Sequence, residues 1–437
     1  MDYFAQLTDS ILKLVGIDSV QATACELSPF GMGVGRCLNQ IVDWSHAMGF
    51  DAYNNDGYYA VTEIGQGKPF GILGHIDTVP YDDYVWSANP LGELRDGVLY
   101  GRGVLDDKGP MLCCLYAIKQ LIDEGYRPTR RIRMIWGGNE ETGWKCIEHY
   151  NACETMPPEG FSPDGDFPAI YCEKGLVHYD IRIPMPKGLR SIRGGSRGNV
   201  VMPACEAVYD GKLTAPASDD RLRVTVTGDK TYLQAEGTPA HASTPKQGDN
   251  ALWHILRYLA KAAKEPYASF AKTWCHDDGK GLDICLHDTK SGNLTCNVGV
   301  IRSDEDGLHI LLDVRHPVSY TREDVRKRIV HALGVKDADV TVVHYHDPLY
   351  VDPDHPLMQS LLHSYTQVTG QPAKPIAIGG GTYARALPVG VAFGPIFPDM
   401  ESTIHQKDER VSLDSLRKMY QIYYTAIRAL CFAPKED

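Results

Sequence analysis

The run Gly71-Ile72-Leu73-Gly74-His75-Ile76-Asp77-Thr78-Val79-Pro80 constrains the chain more than any other stretch. Its apolar residues are those of a buried strand, and the proline stops it. His75 and Asp77 are two residues apart, so they emerge on the same side of the strand end. A carboxylate there can hold the neighbouring imidazole, the usual support of a metal-bound histidine. On its own a His-x-Asp pair is more often structural than functional, because function needs converging groups.

Four other stretches supply those groups. Gly101-Arg102-Gly103-Val104-Leu105-Asp106-Asp107-Lys108-Gly109-Pro110 puts adjacent acids in a Gly-flanked turn before an apolar, helix-like run. Gly137-Gly138-Asn139-Glu140-Glu141-Thr142-Gly143 puts adjacent glutamates directly after the apolar strand Ile132 to Trp136. Asp164 sits in a turn after Phe161, and Ser402-Thr403-Ile404-His405 offers a second histidine. Each lies at the mouth of a strand or in a turn, where open α/β sheets collect their active-site groups. Two histidines with more acids than one ion needs suit a pair of divalent metals bridged by a carboxylate and a water.

The alternation of strand and helix patterns predicts an α/β fold with a mixed, largely parallel sheet flanked by helices. Helices are predicted over Phe4 to Val15, Val34 to Met48, Met111 to Glu124, Trp144 to Tyr150, Pro356 to Val368 and Leu413 to Leu430. Tyr53 to Ile64 reads as one strand. From about Leu176 the texture changes to closely spaced strands with two helical patterns, Asn250 to Lys264 and Arg322 to Leu333. This predicts an inserted α+β lid domain. The expected division is residues 1–175 and 349–437 for a catalytic domain and 176–348 for the lid, with hinges near Lys174-Gly175 and Asp347-Pro348. At 437 residues there is room for both.

A net charge of −12 and no Lys/Arg-rich tail argue against nucleic acid or anionic membrane as partners. The first residues lack a signal peptide's basic and apolar regions, and no apolar run approaches membrane-spanning length. The 12 cysteines show no CxxC pair and no disulfide-like spacing, so reduced, mostly buried thiols and a cytoplasmic location are expected.

The five motifs, in this order, resemble those of the co-catalytic di-metal peptidases and deacylases. That family includes dipeptidase V, the carnosine dipeptidases, aminoacylase, acetylornithine deacetylase and carboxypeptidase G. The double-Asp turn, Ile378-Gly379-Gly380-Gly381-Thr382-Tyr383-Ala384-Arg385 and the long insertion are most similar to the bacterial dipeptidase V branch. The resemblance implies that His75, Asp106, Glu141, Asp164 and His405 bind two divalent ions, zinc first, manganese or cobalt otherwise. Asp106 would bridge, with His75 and Asp164 on one ion and Glu141 and His405 on the other. Glu140, neighbour to a ligand, is assigned as general base and proton donor to the leaving amine. Asp77 would orient His75. The resemblance also implies a cis Asp106-Asp107 peptide, Asp107 serving backbone geometry.

Within the insertion, His241 in Gly237-Thr238-Pro239-Ala240-His241 matches a histidine that stabilises the oxyanion. Arg315 matches a residue that grips the substrate carboxylate, and Asn199 a further substrate contact. The Gly380–Thr382 loop lacks the lysine of a phosphate loop and is assigned a backbone contact with that carboxylate. Val104-Leu105 and Gly137-Gly138-Asn139 depart from the more polar approaches common in the family.

A metal-dependent dipeptidase acting on small peptides with a free carboxylate is the leading reading. An N-acyl amino acid deacylase shares the chemistry; a catalytically dead binding protein would have lost a ligand, and none is lost. Dimeric relatives have a shorter insertion and borrow the histidine at position 241 from the partner, so the long insertion implies a monomer.

Overall fold

The computed structural model describes residues 2–82, 85–216 and 220–434. The chain divides into two compact units. One comprises Met1–Tyr171, Val351–Ile376 and Thr382–Asp437; the other comprises Cys172–Tyr350 and Ala377–Gly381.

The first unit is built on a mixed sheet. Its strands run in the order Asp51–Asn55, Tyr59–Ile64, Arg131–Gly137, Pro69–His75, Glu159–Ser162, Val389–Ala392, Ile170–Glu173. The four from Arg131–Gly137 to Val389–Ala392 are mutually parallel. Their sequences show why they are central. Pro69–His75 and Arg131–Gly137 are buried at every position but the first, which only continuous apolar runs tolerate. Asp51–Asn55, at the edge, is partly exposed throughout. The stretch Tyr53 to Ile64 is a hairpin and not one strand. Asp56 and Gly57 both take positive φ, 48° and 72°, and turn the chain back on itself.

Helices Tyr3–Val15, Met32–Ala47, Lys108–Asp123, Lys145–Cys153, Pro356–Thr369 and Leu413–Cys431 belong to this unit. Lys108–Asp123 is buried along most of its length, packed with the last helix, Leu413–Cys431, and the first. The buried Lys108 ammonium donates to the Leu14 and Ile17 carbonyls at the end of the first helix, 3.1 and 2.9 Å away. Gly74 lets the Asp107 loop close onto the central strand: a Cβ there would lie 2.1 Å from Asp107 Oδ2.

The second unit is an antiparallel sheet of eight strands. Their order is Leu222–Thr227, Lys230–Glu236, Ala204–Asp210, Leu189–Gly194, Thr295–Asp304, Gly307–His316, Gly175–Ile183, Val340–His346. Alternation divides its residues. Val177, Tyr179, Ile181, Ile310, Leu312 and Val314 enter a core with Leu252, Ile255 and Leu259 of helix Ala251–Ala262 and Val325 and Ile329 of helix Arg322–Leu333. His178, Asp313 and Arg315 therefore take the opposite face. All twelve cysteines are free, eight of them buried. No helix among the described residues is long and apolar enough to cross a membrane.

Candidate active site

Three parallel neighbours deliver the acidic and imidazole groups of the first unit. His75 ends its strand, Glu140 and Glu141 follow the strand to one side, and Asp164 follows the strand to the other. Loops bring Asp106 and His405. His75 Nε2 lies 2.9 Å from Asp106 Oδ1 and 3.8 Å from Asp164 Oδ2. His405 Nε2 lies 2.8 Å from Asp106 Oδ2 and 3.1 Å from Glu141 Oε1. Asp106 thus presents one oxygen to each imidazole. One ligand atom from each of His75, Asp106 and Glu141 falls within 4.8 Å of the others. The Asp106-Asp107 peptide is cis.

The electrostatics identify what this donor set suits. Burial pushes the Glu140 carboxyl well above its ordinary range, with repulsion from Glu141 and Asp164 adding to it. Burial, then Asp106, raises Asp164 to about 7. Burial, then Asp164, acts likewise on Asp107, whose Oδ1 has no hydrogen-bond partner. Asp106 alone goes the other way: against the cost of burial, hydrogen bonds from His405 and His75 hold it far below the carboxylate range. A buried set of two imidazoles and an excess of carboxylates, with oxygens and ring nitrogens converging, fits hard-to-borderline divalent cations.

Asp77 lies against both His75 and the paired glutamates. His75 Nδ1 is 3.0 Å from the Asp77 carbonyl and 3.5 Å from its carboxylate. The two carboxylate oxygens accept the backbone N–H groups of Glu140 and Glu141, at 3.0 and 3.1 Å. Asp77 therefore ties the His75 strand end to the paired-glutamate turn. Glu140 Oε1 accepts from Trp144 Nε1 at 3.2 Å, while Glu141 turns to His405.

Sequence reading missed Glu409. Its buried carboxylate pairs with Arg102 at 2.7 Å and accepts the amides of Gly103, Leu105 and Asp106 at 3.0–3.3 Å. It fixes the Asp106 loop from four residues beyond His405. Its Gly-flanked Arg102 partner was the available signal, but nothing in the order of residues pairs positions 307 apart.

The second unit carries the remaining candidates. The Ser243 amide donates to His241 Nδ1 at 3.2 Å, and Ser243 Oγ is 2.6 Å from the same nitrogen. A nitrogen that accepts leaves the neutral ring's proton on Nε2, so His241 presents an N–H donor. Asn199 joins this loop through its carbonyl, which accepts the Ala242 amide at 3.0 Å. Arg315 is buried, and its Nε and Nη2 donate to Asp313 at 2.7 and 3.0 Å. Nη1 donates to the Gly379 carbonyl at 3.2 Å. Three of its five N–H groups are thereby committed. Asp313 was also missed, although Asp-x-Arg on a strand places both side chains on one face. Gly380 belongs to this unit, whereas Thr382, in the first, caps the turn Tyr383–Ala386 by accepting the Ala384 amide.

A strand-end donor set of this kind suits metal-assisted hydrolysis. The chain belongs to Peptidase family M20/M25/M40, whose model matches residues 71–429. It is 36% identical over 448 residues to a Bacillus subtilis (strain 168) protein named "Putative dipeptidase YtjP", covering 96% of each chain. Among solved structures it is similar to a tripeptidase from Staphylococcus aureus subsp. aureus Mu50 (TM-score 0.58, 17% identity, 98% of both chains covered). Human carnosine dipeptidase 1 gives a TM-score of 0.58 at 15% identity, covering 98% of this chain and 97% of that one. At these identities the two structures speak for the fold alone.

Proposed function

We propose that the chain is a metal-dependent dipeptidase, acting on dipeptides with a free carboxylate. The observation that carries this is Asp106, which meets an imidazole on each oxygen while Glu140, beside the ligand Glu141, stays outside that set. His75, Asp106, Glu141, Asp164 and His405 would hold two divalent cations. Bound there, the cations would polarise the scissile carbonyl and acidify water. Glu140 accepts the proton of the attacking water and returns it to the leaving amine, with Trp144 Nε1–H limiting its rotation. His241 Nε2–H donates to the developing oxyanion. The N–H groups of Arg315 not committed to Asp313 and Gly379 hold the substrate carboxylate. A dipeptidase-named relative at 36% identity over nearly the whole chain supports the substrate class.

The test is hydrolysis of a dipeptide panel by protein reconstituted with zinc, manganese or cobalt. β-alanyl, D-residue, amidated and N-acetyl compounds serve as controls. Metal-dependent cleavage of free dipeptides, with amides much slower, is the expected result. Preference for N-acetyl amino acids would replace the dipeptidase by a deacylase.

The enzyme works as a monomer in this reading, supported by the eight-stranded sheet that one chain supplies. Mixing His241→Ala with Glu140→Ala protein should then restore no activity. Recovery of a substantial fraction of the wild-type rate would mean that His241 is shared between chains.

A further inference from the structure

We propose that the second unit carries a pocket for the side chain of the substrate's C-terminal residue, and that the pocket favours uncharged aliphatic residues such as leucine or methionine. This rests on the dipeptidase reading above. The pocket is a cavity of about 430 Å³ whose wall includes Ser243, Pro245, Leu286, Leu294 and Thr295.

Two links place it beside Arg315. Thr295 is the cross-strand partner of Arg315, and such partners on one face of a sheet lie about 5 Å apart. The Gly379 carbonyl that accepts from Arg315 belongs to a residue on which a Cβ would sit 3.2 Å from Ser243 Cβ. Ser243 also holds His241 Nδ1, so one wall residue touches the oxyanion donor and the loop on the carboxylate grip.

In a dipeptide a single residue separates the scissile carbonyl from the terminal carboxylate. With the carbonyl at His241 and the carboxylate at Arg315, that residue's side chain meets the wall made by Ser243 and Thr295. Both residues line the cavity. Pro245, Leu286 and Leu294 give it apolar sides, and Leu286 and Leu294 are 8% and 2% exposed, set firmly in the fold. Two lysines and two aspartates also line it, so no field of one sign draws in a charged side chain. Thr295 Oγ1 is buried without a hydrogen-bond partner, on the strand beside Arg315.

The experiment compares kcat/KM for Ala-Leu, Ala-Met, Ala-Gly, Ala-Glu and Ala-Lys in the metal-loaded enzyme. Ala-Leu should exceed Ala-Gly by about tenfold or more, the discrimination that one buried aliphatic side chain supplies. Cys285→Trp and Thr244→Trp, which fill the cavity from exposed positions in its lining, should bring that ratio down to within about twofold. Calorimetric titration of metal-loaded Glu140→Gln protein with Ala-Leu and Ala-Gly reads the same ratio as Kd, without turnover. A wild-type ratio near one, a preference for Ala-Glu or Ala-Lys, or a ratio unmoved by both tryptophans overturns the pocket. If instead N-acetyl-leucine is cleaved well and dipeptides are not, while the leucine-over-glycine ratio persists, the dipeptidase reading falls and the pocket stands.

Discussion

Both units bury acids, and they balance them in opposite ways. In the second unit Asp313 is fully buried, yet Arg315 and His178 surround it at 2.7–3.0 Å and, against the cost of burial, hold its carboxyl below the ordinary value. That cluster is complete within the chain. In the first unit Glu140, Glu141, Asp107 and Asp164 are all raised by burial and mutual repulsion, which the imidazoles of His75 and His405 offset in part. A buried charge set that the chain does not neutralise is expensive, and it persists where a ligand completes it. On the metal-dependent reading proposed above, cations would complete the first cluster, whereas the second already has its partners.

Removing metal should break the comparison most sharply. Chelation should lower turnover by roughly three or more orders of magnitude, recoverable on adding cation back. Hydrogen exchange should meanwhile quicken around Asp106 and Glu141 and leave the strands of residues 307–316 unchanged. Equal loosening of both units would contradict the contrast.

Glu140→Ala should cost roughly three orders of magnitude in kcat while metal content, read by elemental analysis, stays at its wild-type level. A protein that loses metal along with activity would make Glu140 a ligand.

Glu409→Ala leaves Arg102 buried without its partner, the two side chains being 2% and 0% exposed. The expected destabilisation is about 3–5 kcal/mol by denaturant titration. Metal affinity should fall by about 10–100-fold, because the Asp106 amide loses its acceptor. Unchanged metal affinity in a folded variant would reduce Glu409 to a stability element.

The smallest effect is expected in the complete cluster. Asp313→Asn keeps the shape and one acceptor, so stability should fall by only about 2 kcal/mol. KM for dipeptides should rise with kcat and metal content little changed, since the guanidinium is reoriented and the metal cluster is untouched. A drop in kcat alone would sever Asp313 from substrate binding.

Much of this was legible in the residue order, wherever the signal is local. His75 ends an apolar run, and Glu140 and Asp164 follow within a few residues of a strand, so strand ends and site candidates are read together. The helices Arg322–Leu333 and Leu413–Cys431 were placed to within a residue. The strands Leu189–Gly194 and Ala204–Asp210 escaped, because an irregularity between Leu189 and Ser191 breaks the alternation of the first and the second buries only the small Cys205 and Ala207. Tyr53 to Ile64 was read through its turn, since Asn55-Asp56-Gly57 interrupts two strands of matching texture. Arg102–Glu409 was invisible for another reason: pairing across 307 positions depends on strand order, which composition and periodicity do not encode.

That strand order has a consequence for how the molecule is made. Val389–Ala392 sits between Glu159–Ser162 and Ile170–Glu173 in the finished sheet, yet it is translated after the whole of residues 172–350. At ~5–20 residues per second, the ribosome needs about 10–45 s to go from Ile170 to Val389. Throughout that interval one edge of Glu159–Ser162 lacks the strand that will pair with it, an open template for wrong partners. His405 arrives later still, so the imidazole that meets Asp106 and Glu141 is the last group of that cluster to be made.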